Sequence, residues 1–325
     1  MPFLQPDFRR NLLPLALLPA LLTACDTAID VPEPAHTPRV AMVLTLDNLA
    51  PADSLMRASY LGRQPFVSLS QRLYLLHPPE GRADATMEVR DAGGAVVERY
   101  RQVVMPPPFP GAPDYNQGVY RPTLRYQFRP GQTYTVRTAV PGTEPAESQL
   151  TLPVPVPVEV TKTPLSSSGS GQSRARLTVA FDDPAGSNDY YLVTAQVVDA
   201  SGQRVGYINL SDEEGSGLTV PAYRLSDPQS AYELYPFSDA NVNGQRISFS
   251  ANVSYGSGSI GGRPAQLQVT LTRLTRDLYL FYNSYVQYSN NDGNPFAEPT
   301  PLYSNVTPGF GIFGGAADSW VRLPL

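Results

Sequence analysis

The sequence predicts a mainly-β protein: a β-sandwich towards the N-terminus, then a larger, β-rich C-terminal domain carrying one helix. Three observations predict it. The 34 prolines and 25 glycines punctuate the 325 residues, with breaks every 8–12 residues or so, roughly the spacing of turns in an all-β sandwich. Short runs rich in Val, Thr and Tyr lie between the breaks and alternate apolar with polar, the period of a strand with one buried face. One later stretch, 272–288, carries helical period instead.

The N-terminal end is of a different kind. Arg9 and Arg10 precede an apolar run from Leu12 to Leu22, too short to span a bilayer as a permanent helix. Leu22-Thr23-Ala24-Cys25 follows, the bacterial lipobox pattern: small side chains beside the cut, then a thiol that takes a diacylglyceryl group. Cys25 is the only cysteine, so a structural disulfide within the chain is excluded. The reading is a lipoprotein signal peptide over 1–24, lipidation at Cys25, and membrane attachment through that lipid. Two or three acyl chains anchor stably where one does not. Residues 25–38 hold Pro32, Pro34 and Pro38 without apolar period, and read as an extended tether in which His36 is a linker residue. Removing 1–24 takes away Asp7, Arg9 and Arg10, so the formal charge moves from −5 to −6. An acidic chain whose single lysine is Lys162, with no basic run, is a poor nucleic-acid binder, because phosphate neutralisation supplies most of that affinity, and no nucleic-acid partner is expected.

The first domain is expected over 39–152. Val40–Leu46 reads as a strand, and Phe66–Leu76 is ambiguous between periods. Thr86–Arg90 alternates, and Asp91-Ala-Gly-Gly94 turns the chain into Ala95–Tyr100, since Asp and Gly tolerate positive φ. Met105–Gly111 is a stiff, proline-rich loop. Leu124–Phe128 and Tyr134–Thr138 read as strands joined by Arg129-Pro130-Gly131. Gly118-x-Tyr120, then Pro130-Gly131-x-x-Tyr134-x-Val136, resembles the later strands of immunoglobulin-like and transthyretin-like modules. In that arrangement Tyr134 packs inward and its hydroxyl bonds back to the loop.

Residues 153–158 form a connector, because alternating proline denies every second amide to a ladder. The second domain is expected over 159–325, sandwich-like, with strands at Arg176–Phe181, Tyr190–Val198, Ile247–Tyr255 and Leu267–Leu271. Along Tyr190–Val198, Tyr191, Val193, Ala195 and Val197 share one face. Leu274, Leu278, Phe281, Tyr282, Tyr285 and Val286 mark a helix near 275–288 that packs its aromatic face on a sheet, with Asp277 in the first turn. The glycine-broken Gly309–Gly315 still carries Phe310, Ile312 and Phe313, which points to a close backbone approach inside the core.

Several motifs suggest chemistry, and each has a plainer account. Gly256-Ser-Gly-Ser-Ile-Gly261 spells G-x-G-x-x-G, but a strand follows where a dinucleotide site needs a helix N-terminus. Asp239-Ala-Asn-Val-Asn-Gly244 matches the first half of a calcium loop, but position twelve is Ser250 in place of a bidentate Glu, and Asn243-Gly244 reads as a hairpin turn. Asp182, Asp183 and Asp189, or Asp292 with Asn290, Asn291 and Asn294, offer loop oxygens that also suit Asx turns. His77 lies beside Pro78-Pro79 with no serine marked as its partner, and Asp212, Glu213 and Glu214 read as solvated acids. The sequence therefore assigns no catalytic residue, no metal ligand and no cofactor, and the expectation is a protein that is not an enzyme.

Taken together, Asp182-Asp-Pro184, Asn188-Asp-Tyr-Tyr191, Phe237-Ser-Asp239, Asn243-Gly244, Leu278-Tyr279, Asn294-Pro-Phe-Ala-Glu-Pro299, Ser304-Asn-Val306 and Gly309–Gly315 resemble a Bacteroidetes outer-membrane lipoprotein family, domain of unknown function 4249. Val306 and Phe310 are mild departures from its closing motif. The resemblance implies an outer-membrane location and, as partner, a TonB-dependent outer-membrane receptor; it implies no reaction. The expected function is a non-catalytic accessory or binding subunit of such a receptor system. The alternative is a surface carbohydrate- or peptide-binding module, calcium-assisted in one version, using Tyr115-Asn116, Tyr207–Asn209 and Tyr288–Asp292.

Overall fold

A computed structural model describes residues 35–51, 63–72, 79–104, 117–166, 173–211, 223–228, 234–257, 263–291 and 301–325. Sixteen strands and one helix are delimited among them. Near the N-terminal end come β1 (Val40–Asp47), β2 (Phe66–Leu69), β3 (Thr86–Asp91), β4 (Val96–Gln102), β5 (Tyr120–Pro122), β6 (Thr133–Ala139) and β7 (Ala146–Thr151). Then follow β8 (Glu159–Leu165), β9 (Ser173–Asp182), β10 (Tyr190–Val198), β11 (Gly206–Ser211), β12 (Leu225–Ser226), β13 (Phe237–Ser238), β14 (Arg246–Ser257) and β15 (Gln266–Leu274). Helix α1 (Arg276–Asn291) and β16 (Phe310–Pro324) complete the order.

These strands form three sheets. A seven-stranded sheet runs β12-β10-β15-β16-β1-β2, with β13 also on β10; a four-stranded sheet runs β11-β14-β9-β8; a five-stranded sheet runs β5-β4-β3-β6-β7. The period-two pattern explains which faces meet. On β10, Tyr191, Val193, Ala195 and Val197 are buried against Leu177, Val179 and Phe181 of β9 and Ile247 and Val253 of β14. This is the face the alternation predicts. The opposite face of the same sheet carries Leu192, Leu274, Ile312 and Ala316, and α1 lies there through Leu278 and Tyr282. At the other end of the seven-stranded sheet, Val40, Met42, Leu44 and Leu46 of β1 and Phe313 of β16 pack on Met87, Val89, Tyr134 and Val136 of the five-stranded sheet.

The seven-stranded sheet does not divide at the predicted connector. β1 pairs in parallel with β16, Val43 opposite Ile312 and Leu44 opposite Phe313. β16 then continues into an antiparallel ladder with β15, from Leu274 opposite Ala316 to Gln266 opposite Pro324. A single fifteen-residue strand thus serves both expected domains. Thr37–Gln71 and His77–Leu325 group as one compact unit. Residues 153–158 do cross from β7 to β8 without joining a ladder, as their prolines require. They are pinned along the way: Leu152 and Val156 are buried, the Ser319 hydroxyl donates to the Val156 carbonyl at 2.5 Å, and Arg273 donates to the Val154 carbonyl at 3.3 Å.

Three local expectations are corrected. Leu124–Phe128 is a loop. Its alternation arises because Tyr126 and Phe128 stack edge-on with each other and with Tyr134, at centroid distances of 5.1–6.3 Å. Its amides go to a side chain: Glu98 accepts from Thr123, Leu124 and Tyr126. Leu274 closes β15 and does not open the helix, which starts after Thr275; the Thr275 carbonyl accepts the first helical hydrogen bond, from Tyr279 N–H. Asn243-Gly244 turns the chain but closes no hairpin, because β13 pairs with β10 and β14 with β9 and β11. The turn carries the chain from one sheet to the other. By contrast, the Asp91–Gly94 hairpin and the inward Tyr134 are as expected. Arg129 N–H donates to the Tyr134 hydroxyl at 2.9 Å.

Candidate functional site

The turn from Asp183 to Asp189 joins β9 of the four-stranded sheet to β10 of the seven-stranded one. Asp239 follows β13, the short strand on the edge of β10. All three acids therefore sit at strand ends, at one end of the gap between two packed sheets. One oxygen of each lies within 4.8 Å of one of each of the others. Asp183 and Asp189 are each 6 % exposed and Asp239 is 0 % exposed. The backbone locks the arrangement: Asp239 N–H donates to the Asp189 carbonyl, and Asp183 N–H to the Gln245 carbonyl.

Two of the three carboxylates are supplied with donors. Asp183 accepts from the Tyr191 hydroxyl at 2.5 Å and from Gly244 N–H at 2.8 Å. Asp189 accepts from Arg273 at 2.5 and 3.1 Å and from the Ser187 hydroxyl at 3.2 Å. Asn243 ties the two turns together, its side-chain oxygen accepting from Gly186 N–H at 3.0 Å and its amide donating to the Ser187 carbonyl. Asp239 differs: neither of its oxygens has a hydrogen-bond partner among the described residues. Burial outweighs the pull of the nearby Asp189 backbone amide and, with the charges of Asp183 and Asp189, pushes its carboxyl above the usual carboxylate range. Burial and the bond to Asp183 likewise raise the Tyr191 hydroxyl. Counted as formal charges, the three carboxylates against Arg273 leave −2 in a buried place. Like charges about 5 Å apart repel by roughly 3 kcal/mol at an effective dielectric constant of about 20.

The sequence motifs divide here. Asp182 is not in the cluster; it is exposed and pairs with Arg246, which also holds Glu159. The cluster takes Asp183 and Asp189 from one predicted group and Asp239 from the half calcium loop. No local spacing unites them, since the pairing of β13 with β10 brings Asp239 in from 50 residues away. β11, which holds residues 207–209, and α1, which holds Tyr288, pack on opposite faces of the seven-stranded sheet. Cys25, His77, Tyr115, Asn116, Asp212, Glu213, Glu214, Asp292 and Asn294 lie outside the described residues. Gly256 lies in the last residues of β14, and β15 comes next, as the plainer account of the G-x-G-x-x-G stretch requires.

Residues 61–320 match the family described as "Domain of unknown function (DUF4249)". The chain belongs to that family. No curated protein matches the chain. Four of the stretches that carry the family resemblance build the cluster: Asp182-Asp-Pro184, Asn188-Asp-Tyr-Tyr191, Phe237-Ser-Asp239 and Asn243-Gly244 supply all three acids, Tyr191 and both turns. The closing family motif has a structural use. The Asn305 side chain accepts from Phe313 N–H at 2.9 Å and donates to the Phe313 carbonyl at 2.9 Å and to Asp277 at 3.1 Å. It joins the tail to β16 and to the first turn of α1. Among the described residues no helix is long and apolar enough to cross a membrane.

Proposed function

We propose that this member of the family is a non-catalytic, lipid-anchored outer-membrane protein, an accessory or binding subunit of a TonB-dependent receptor system. The observation that carries this reading is Leu22-Thr23-Ala24-Cys25, which ends the long apolar run and holds the only cysteine. The proline-rich stretch after it supports the reading, since an extended segment gives a lipid-anchored body reach. The resemblance to Bacteroidetes lipoproteins supports the receptor as partner. In this reading the five-stranded sheet, with its Tyr134 corner, is an immunoglobulin/transthyretin-like scaffold that presents loops to that partner.

Palmitate labelling of the full chain tests the anchor. The wild type takes the label and sediments with outer membranes; Cys25→Ser loses both. Gentle detergent extraction of tagged protein, with mass spectrometry of what accompanies it, tests the partner. A stoichiometric receptor is the expected result, and an empty pull-down of lipidated, folded protein overturns the subunit role.

One observation favours a second reading, direct binding of a carbohydrate or peptide. A groove of about 500 Å³ on the five-stranded sheet is lined by Tyr100, Glu88, Arg99, Arg101 and Arg137. Charged hydrogen-bonding groups that converge on a groove suit such ligands. Glycan and peptide arrays probed with and without chelator decide it, and silence across both removes this reading.

A further inference from the structure

We propose that Asp183, Asp189 and Asp239 bind a hard divalent cation, calcium in the first instance, between the two sheets. The Asp239 carboxylate carries the argument. It is fully buried, it points among two other carboxylates, and neither oxygen has a hydrogen-bond donor among the described residues. Buried carboxylates are ordinarily paired or bound to metal. An ion meets that need, and the neighbouring groups leave room for it chemically. Asp183 and Asp189 each spend one bond per oxygen or little more on Tyr191, Gly244, Arg273 and Ser187. A carboxylate oxygen accepts more than one partner, so each can still ligate.

Charge, size and donor type agree. The three acids and Arg273 leave −2, which a divalent ion cancels. Calcium bonds oxygen at 2.3–2.6 Å, so three oxygens within 4.8 Å of one another can share one such ion. Magnesium needs a tighter octahedron and keeps several waters. An all-oxygen set with no imidazole or thiolate selects hard ions over zinc or copper. The ion would tie both ends of the β9–β10 turn to the end of β13, so it would bind the folded chain and not the unfolded one. This site does not depend on the lipid anchor or the receptor, and stands or falls separately from them.

The test uses the full chain in detergent, stripped with EDTA and dialysed. Calorimetric titration with CaCl2, MgCl2 and MnCl2 is expected to give one calcium per chain with Kd on the order of 10⁻⁵ to 10⁻³ M. Calcium at a hundredfold excess over Kd is expected to raise Tm by about 5 °C. Asp239→Asn is expected to abolish both responses, while Asp182→Asn, outside the cluster, keeps them. Where Asp239→Asn does not fold, terbium luminescence of the wild type gives the same decision. Tyr191, bonded to Asp183, would sensitise a bound terbium ion, and calcium would displace it. Absence of cation uptake and of any Tm shift overturns the site. Uptake that survives in Asp239→Asn overturns it equally.

Discussion

Glu98 shows how one buried charge organises a stretch that its own residues do not. Its side chain is fully buried, and its oxygens accept from the amides of Arg99, Thr123, Leu124 and Tyr126 at 2.7–2.9 Å. Those amides would otherwise lie unsatisfied beside a core. Hydrogen bonds to a charged group contribute about 1.5–3 kcal/mol each, without adding fully. Glu98→Ala is therefore expected to cost at least about 3 kcal/mol in urea unfolding, and Glu98→Gln less, because the amide keeps one acceptor. Arg63 and Asp318 make a second buried device. Arg63 donates to Asp318 at 3.0 Å, both side chains are nearly inaccessible, and Thr272 O–H donates to the same carboxylate. Burial by itself lowers the Arg63 pKa, but Asp318, with Tyr282 and Asp47, more than reverses that and holds the guanidinium charged. Arg63→Met alone is expected to cost about 3–5 kcal/mol, and adding Asp318→Asn to recover most of it, because the expensive state is the single orphaned charge. A double-mutant cycle in urea reads this directly. Neither device was legible in the sequence, since a lone Glu in a strand looks like any alternating polar residue. Tyr134 was legible because its partner lies five residues away across a Pro-Gly turn.

At the scale of the element, β16 and α1 explain the glycine-broken tail. Gly311 has φ +105° and a Cβ there would stand 1.9 Å from the Met42 carbonyl oxygen. Gly314 leaves space for Leu278, whose Cδ1 a Cβ would meet at 2.8 Å. β1 thus approaches an edge of β16 and α1 one of its faces, at the points where side chains are missing. Sequence reading finds the close approach but not its direction, because parallel pairing with a strand some 270 residues earlier leaves no local mark. Gly311→Ala is expected to cost roughly 3 kcal/mol, from strain and displaced backbone together, and to lower Tm without changing α1 helicity. Tyr303 fastens the chain before β16 to α1, its O–H donating to Asp277 at 2.5 Å. Burial first, then that bond, push its hydroxyl up to about 12. The unfolded chain ionises first, near its ordinary 10. The stability held by this link is thus complete below pH 10 and is lost as pH rises from 10 towards 12. Tyr303→Phe is expected to be less stable than wild type at pH 8 and to show a shallower alkaline decline in a pH series of urea midpoints.

At the scale of the whole molecule, the two expected domains are joined by more than a connector. The alternation, turns and helix that set the fold class are local properties, and most appear where the sequence places them; Leu124–Phe128 and the Asn243-Gly244 turn are the exceptions. Sheet membership is not local. Residues 39–152 read as a self-sufficient sandwich because strands 3 to 7 do pair among themselves. Yet the core beneath them is completed by Val306 and Phe313 from the far end of the chain, and β1 has β16 as its parallel neighbour. A chain cut at Leu152 would leave β1 flanked only by β2, a four-residue strand. It would also leave Val40, Met42, Leu44 and Leu46 without the aromatic ring that closes their layer. Losing a buried Phe alone costs about 3–5 kcal/mol, and an unpaired hydrophobic strand edge invites association. The fragment 39–152 is therefore expected to bind a hydrophobic dye, to lack a sharp thermal transition and to self-associate on gel filtration. Adding residues 301–325 in trans is expected to restore a cooperative transition, since those residues bring the missing ladder and ring. A fragment that melts sharply as a monomer would show that the five-stranded sheet carries its own core. β16 would then be an addition to two independent domains, and not the strand that makes them one.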